Sequence, residues 1–283
     1  MTQDVIDLRA RLAASRSASA APAPATPPAI VVGSGKGGVG KSVVSVMMAR
    51  ALAAQGRKVL LVDGDQNLGS LHVLLGVLPA VGLEQLAIDQ ATPAELLVQV
   101  SEGLWLLPGA SGAEGIYSLA ALDRARLHHR LCSLYDDFDV IVIDAGPGLE
   151  SVVRVATMRA TGLIVTVAPE PAALTDAYAL IKIVQQQIPD LPIDILVNRS
   201  FSEDEGRAAY ERLAIAVERF LRRGVRYLGS LPEDDELRLA MRDPRRLSRA
   251  LTECRAAQTL TSLVSDRMEL PVTLHLTSAE STR

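Results

Sequence analysis

From residue 29 onward the chain alternates short apolar runs with longer stretches patterned for helix. The runs are Ala29-Ile30-Val31-Val32, Lys58-Val59-Leu60-Leu61-Val62, Val140-Ile141-Val142-Ile143, Ile193-Asp194-Ile195-Leu196-Val197 and Tyr227-Leu228-Gly229-Ser230-Leu231. They are short and mostly β-branched or leucine-rich, which predicts strands buried on both faces. Ser42 to Gln55 (SVVSVMMARALAAQ) predicts a helix, with Gly56 as its stop. Strand and helix alternate without a break from Ile30, so the expectation is one α/β domain. Its central sheet is mostly parallel, with helices on both faces.

Between the first strand and the first helix lies Gly35-Lys36-Gly37-Gly38-Val39-Gly40-Lys41-Ser42. This is the phosphate-loop pattern G-x-x-x-x-G-K-[ST] in its required strand–loop–helix context, and it predicts the P-loop NTPase fold. Glycines 35, 37, 38 and 40 let backbone N–H groups turn inward onto a phosphate. The helix start adds partial positive charge. Lys41 is expected on the β- and γ-phosphates of a nucleoside triphosphate and the Ser42 hydroxyl on magnesium. No structural partner for the Lys41 charge is legible, so its removal is expected to spare the fold. Lys36 is a second lysine that an ordinary phosphate loop does not need.

Two more strands end in acidic clusters, Asp63-Gly64-Asp65 and Asp144-Ala145-Gly146-Pro147-Gly148. In an open parallel sheet the ligand sits beyond the carboxyl ends of the strands, so both clusters belong beside the triphosphate. Asp144 suits the magnesium shell, with Asp63 near it. A backbone N–H after it, at Gly146, suits the γ-phosphate. Asp65 suits the attacking water. The alternative for Asp63 and Asp65 is that they end a strand or cap a helix.

These motifs resemble the MinD/ParA class of P-loop ATPases. Within that class, NLGSLHVLLG (67–76) and Pro169-Glu170-Pro171 followed by LTDAYALIK (174–182) resemble the flagellar-number regulators FlhG, also called FleN. The resemblance runs from about Ile30 to about Ala250. It implies that Lys36 crosses to the partner's phosphates in an ATP-bound homodimer. It implies that Asp65 is the switch aspartate needed for hydrolysis and Asp144 the Walker B aspartate. Asn198, followed by Arg199, would read adenine, and Pro232 and Glu233 would pack beside the base. ATP and Mg2+ are the implied ligands.

Composition narrows the picture. Hydrophobic residues make up 48% of the 283 and aromatics 3%, which suits an aliphatic core between helices and a parallel sheet. The net charge of −4 argues against a nucleic-acid partner. The start of the chain lacks the pattern of a secretory signal, and no apolar stretch is long enough to span a bilayer. The expected location is cytoplasmic, peripheral at the inner face of the cell membrane if a lipid helix is present. Cys132 and Cys254 are far apart and read as reduced thiols. His72, His128, His129 and His275 are too scattered for a metal site.

Residues 1–14 hold a short amphipathic pattern with Val5, Leu8 and Leu12. Residues 15–28 (SRSASAAPAPATPP) are a Ser/Ala/Pro linker. Such a tethered segment suits partner docking. The resemblance implies an FlhF-like GTPase as its target, with Leu8-Arg9 matching the family's ending and Gln3-Asp4-Val5 departing from its start. A disordered tail is the alternative. The ATPase domain is expected over 29–250, with a C-terminal helix and tail over 251–283. Leu247, Leu251, Cys254, Ala257, Leu260 and Val264 fall at helical spacing. The resemblance implies a C-terminal amphipathic helix, which members of the class commonly use to bind membrane when ATP is bound. Residues 242–267 have six Arg against three acids, a local charge of +3, yet contain no Phe, Trp or Lys. A helix packed on the domain is therefore the expectation over a lipid-binding one.

The sequence thus reads as a Mg-ATP-dependent dimerising switch controlling flagellar number or placement. A basal-body or transcription regulator is a further partner class. Three other outputs fit the same motifs: MinD-like division positioning, ParA-like DNA or cargo partitioning, and a nucleotide-binding scaffold without hydrolysis. The scaffold is disfavoured by the presence of both Lys36 and Asp65.

Overall fold

The structure is a computed structural model that describes residues 27–65, 69–81, 85–86, 90–109, 134–146 and 148–268. Among them one sheet contains β1 (Ala29–Gly33), β2 (Val59–Gly64), β3 (Val98–Ser101), β4 (Leu104–Leu107), β5 (Val140–Ala145), β6 (Gly162–Val167), β7 (Ile193–Ser200) and β8 (Arg226–Pro232). Their order is β3-β4-β2-β5-β1-β6-β7-β8. Only the β3–β4 edge is antiparallel; the other neighbours run parallel. Helices are α1 (Lys41–Ala54), α2 (Leu71–Leu75), α3 (Leu149–Arg159), α4 (Pro171–Gln187), α5 (Glu203–Leu221), α6 (Asp235–Ala240), α7 (Pro244–Glu253) and α8 (Arg255–Arg267).

The period of two along each strand divides the core. Ala29 and Val31 of β1, with Ile141 and Ile143 of β5, face the side covered by α3, α4 and α5. Ile30 and Val32, with Val140 and Val142, face the side covered by α1, α7 and α8. After β1 the chain moves to β2, β3 and β4 on one side. It returns to β5 next to β1, then continues outward through β6, β7 and β8. The carboxyl end of β1 lies where these directions diverge, the usual place for a ligand crevice in an open sheet.

Helix α1 is buried over most of its circumference, including Val44, Val46, Met48, Ala49 and Leu52. A helix apolar on all sides needs neighbours on all sides. The sheet supplies one and the C-terminal helices supply the other. The expected single helix over 244–267 is two. The chain leaves helical geometry at Cys254 (ψ 161), whose Sγ accepts the Ala257 N–H at 3.4 Å. Leu247, Leu251, Cys254, Ala257, Leu260 and Val264 are all buried. Polar contacts flank the seam. The Arg50 guanidinium donates to Thr252 Oγ1 at 2.9 Å, and Gln55 Nε2 donates to Ser265 Oγ at 2.9 Å.

Two expected boundaries are corrected. Residue 250 is no domain limit, because it lies inside α7 and α8 completes the α1 core. The apolar face that lipid binding would require of this segment is occupied by the domain itself. At the other end, Pro27 and Pro28 are buried rather than part of the linker, and the Pro28 carbonyl accepts the Ile141 N–H at 2.9 Å. The rest of that linker, the 1–14 segment, His128, His129, Cys132 and the tail from 269 lie outside the described residues.

Leu260 has no exposed surface. Leu260→Ala should cost about 2–5 kcal/mol of stability in urea unfolding. A loss under about 0.5 kcal/mol, the range of ordinary surface changes, would show that α8 is an appendage.

Candidate nucleotide site

The loop after β1 is held from three directions. Ser34 Oγ donates to the Lys36 carbonyl at 3.0 Å. Val39 turns inward and is 5% exposed. Gly35 lies so close to α4 that a Cβ there would run into the Asp176 carbonyl. Gly38 (φ 81) and Gly40 (φ 88) adopt left-handed conformations that favour glycine. At Gly37 and Gly38 a Cβ would meet nothing within 4 Å, so the crest of the loop opens to space. Gly40 is the N-cap of α1, and no side chain caps that helix. Open glycines leading into an uncapped 14-residue helix suit a phosphate chain. Lys36 is exposed on the crest.

Lys41, the first residue of α1, turns under the loop. Its Nζ donates to Asp144 Oδ1 at 2.7 Å and lies 3.2 Å from Ser42 Oγ. Ser45 Oγ donates to the same Asp144 oxygen at 2.8 Å. Asp144 is 1% exposed. This corrects the expectation that Lys41 has no structural charge partner. It also adds Ser45, whose signal was a lone hydroxyl one turn from Lys41 on an apolar helix. For magnesium, the cluster offers the Ser42 hydroxyl beside the Asp144 carboxylate, a hard oxygen set of the kind the ion prefers.

Asp63 is the β2 register partner of Asp144. Its Oδ1 accepts the Asp65 N–H at 3.2 Å and its Oδ2 accepts the Leu71 N–H at 3.0 Å. A Cβ at Gly69 or Gly109 would come within 3.0 or 3.2 Å of its carboxylate group. Asp63 therefore organises the approach to α2 through both of its oxygens. Burial pushes its carboxyl up to about 6, against the two N–H bonds and with the charges of Asp144 and Asp65 adding to the rise. Asp65 lies against Gly146: a Cβ there would be 3.4 Å from Asp65 Oδ1 and 2.7 Å from Ser151 Oγ. The two acidic clusters thus converge as their strands predicted. Gly69 and Gly109 carried no distinguishing signal in the sequence.

Beyond the loop, a cavity of about 310 Å³ is lined by residues that include Gly40, Met47, Asn198, Arg199, Pro232 and Glu233. Asn198 Nδ2 donates to the Val39 carbonyl at 2.8 Å, which fixes the amide with its nitrogen toward the loop. Arg199 (φ 63) is left-handed, and its Nε donates to Glu233 Oε2 at 2.8 Å. That backbone costs of order 1–3 kcal/mol. An ion pair with side chains 50% and 25% exposed returns about 0.2–1 kcal/mol. The pair alone does not offset the strain. Asp234 closes the wall: Oδ1 accepts the Leu237 N–H at 3.0 Å and Oδ2 accepts the Ala256 N–H at 3.0 Å.

Strand, open glycine loop and uncapped helix, with a buried carboxylate holding the loop lysine, define a P-loop nucleotide hydrolase. A protein-family model described as an AAA domain matches residues 28–195. The antiactivator FleN of Pseudomonas aeruginosa is 33% identical over 228 residues, 81% of each chain. The flagellum site-determining protein YlxH of Helicobacter pylori is 31% identical over 76% of this chain and 72% of its own. The structure of the septum site-determining protein MinD of Pyrococcus horikoshii, complexed with Mg-ADP, superposes with a TM-score of 0.68 at 26% identity, covering 85% of this chain and 96% of that one. The chain belongs to the P-loop ATPases of the MinD/ParA class.

Lys41→Ala would leave Asp144 buried with Ser45 as its remaining donor on α1. In nucleotide-free protein the expected loss is about 3–5 kcal/mol, with part regained in Lys41→Ala/Asp144→Asn. Urea unfolding measures both, and an unchanged midpoint for the single variant would show the pair to be dispensable. ATP binding by calorimetry should be lost as well.

Asp63 gives a pH signature. The folded state binds its proton more tightly than the unfolded chain, so its contribution is greatest below 3.8 and is lost as pH rises through about 6. Stability of nucleotide-free protein should fall across that window by about 3 kcal/mol from this group. Asp63→Asn should flatten the slope, and a carboxyl carbon titrating near 4 in NMR would contradict the reading.

Proposed function

We propose that this ATPase is a Mg-ATP-dependent dimerising switch that controls flagellar number or placement. The observation that carries the switch is Lys36, an exposed cation on the crest of a loop whose own phosphate lysine, Lys41, is already present beneath it. A second cation facing outward suits the phosphates of an apposed subunit. The flagellar output is supported by the likeness to FleN and YlxH over most of each chain.

The triphosphate would lie along the loop N–H groups with its β- and γ-oxygens drawing on Lys41. Magnesium, held by Ser42 with Asp144 behind it, would supply charge neutralisation at the β- and γ-oxygens. Asp65 would orient the water that attacks the γ-phosphorus as the bond to the bridging oxygen breaks, with the Gly146 N–H against a γ-oxygen. The base would enter the cavity bounded by Asn198, Arg199, Pro232 and Glu233. Loss of the γ-phosphate would separate the subunits. The 1–14 segment, outside the described residues, would serve as the docking element for an FlhF-like GTPase, a basal-body component or a transcription regulator. A lipid-binding output through α7 and α8 is disfavoured by the burial of their apolar residues.

Wild-type activity per subunit should rise with protein concentration as dimers form. Lys36→Ala should bind ATP almost normally yet stay at least about tenfold slower, since cations supplied in trans contribute about 10³–10⁵ elsewhere. Asp65→Ala should bind ATP, turn over slowly and accumulate as a dimer in light scattering. An ATP-bound monomer with full activity would overturn the dimer mechanism.

A further inference from the structure

Among the described residues lining the base cavity, the carboxylates are Glu233 and Asp234. Asp234 has both oxygens on backbone N–H groups. Glu233 instead meets the side chain of Arg199, which reaches it from a strained backbone that the ion pair does not offset. The two sit at matched places, because Ser200 of β7 pairs with Pro232 of β8 and the Glu233 N–H donates to the Ser200 carbonyl at 2.9 Å. A feature kept against its own strain is a candidate for function.

Nucleobase chemistry says what that function is. A free carboxylate at a base pocket accepts the N1–H and 2-amino hydrogens of guanine and repels the N1 lone pair of adenine. Glu233 unpaired would therefore favour the wrong purine for an ATPase. We propose that Arg199 is a specificity-determining residue, and that its ion pair with Glu233 excludes guanine nucleotides by occupying and neutralising the carboxylate that would otherwise bind them. Asn198 works in the same direction. Its amide nitrogen is committed to the Val39 carbonyl, so its oxygen is the end left to accept the 6-amino group of adenine, where guanine carries another acceptor. This inference rests on the reading of the cavity as the base site.

The test uses the full-length chain and calorimetry with ADP and GDP, which avoids turnover. Wild type should prefer ADP. Arg199→Ala should lower the ADP/GDP preference by about tenfold to a hundredfold, the range of one good bidentate base contact, with GDP binding tightening. Arg199→Ala/Glu233→Gln should restore the preference by removing the freed carboxylate. If Arg199→Ala folds poorly by circular dichroism, Arg199→Gly accepts the left-handed backbone and should behave alike. An unchanged preference in the single variant, or a double variant as permissive as the single, overturns the proposal while leaving the base site in place. Equal wild-type affinity for ADP and GDP would overturn the base-site reading itself, and the proposal with it.

Discussion

The ion pair between Lys41 and Asp144 sets the terms for the rest of the site. Removing an ammonium and a carboxylate from water is expensive, and the return is good only when the geometry is close and the spare lone pairs are used. Here one Asp144 oxygen takes both Lys41 at 2.7 Å and Ser45 at 2.8 Å, two donors one helical turn apart. The pair therefore binds α1 to the end of β5 and fixes where the helix begins. The loop must then span from β1 to that point, and its left-handed glycines at 38 and 40 follow from the short path.

The cavity beside the loop is built differently, from ties to backbone groups instead of a buried charge pair. Asn198 is bonded to the loop through the Val39 carbonyl, which ties the end of β7 to the loop. Asp234 joins the cavity wall to the first turn of α8 through the Ala256 N–H. Burial opposes its ionisation, yet its N–H bonds and the Cys254 thiol together hold its carboxyl below the ordinary value. The C-terminal helices are thus part of the cavity's frame.

Much of this was legible in advance, and for identifiable reasons. Uninterrupted apolar runs mark strands covered on both faces, so β1, β2, β5, β7 and β8 stood out. The loop was legible because its chemistry is local in sequence. What was hidden depends on partners far along the chain. The Lys41–Asp144 contact spans 103 positions and the Asn198–Val39 contact 159. Around Asp63, nothing in the neighbouring residues shows that Leu71, Gly69 and the distant Gly109 would close on its carboxylate. The break at Cys254 was invisible to periodicity, since the apolar spacing continues through it and a capping sulfur leaves no pattern. The short β3–β4 edge had the weakest signal, with Val98 and Val100 only partly buried.

The order in which the chain is made gives the α1 seam a further meaning. Helix α1 begins with Lys41 and precedes the other helices described, yet it is covered by α7 and α8, the last of them. A nascent chain that has reached β8 holds the whole phosphate loop but leaves α1 without the two helices that complete its core. Marginal helices gain most of their stability from such packing. On the ribosome, the helix that begins with Lys41 therefore gains its full packing only after α7 and α8 have been made.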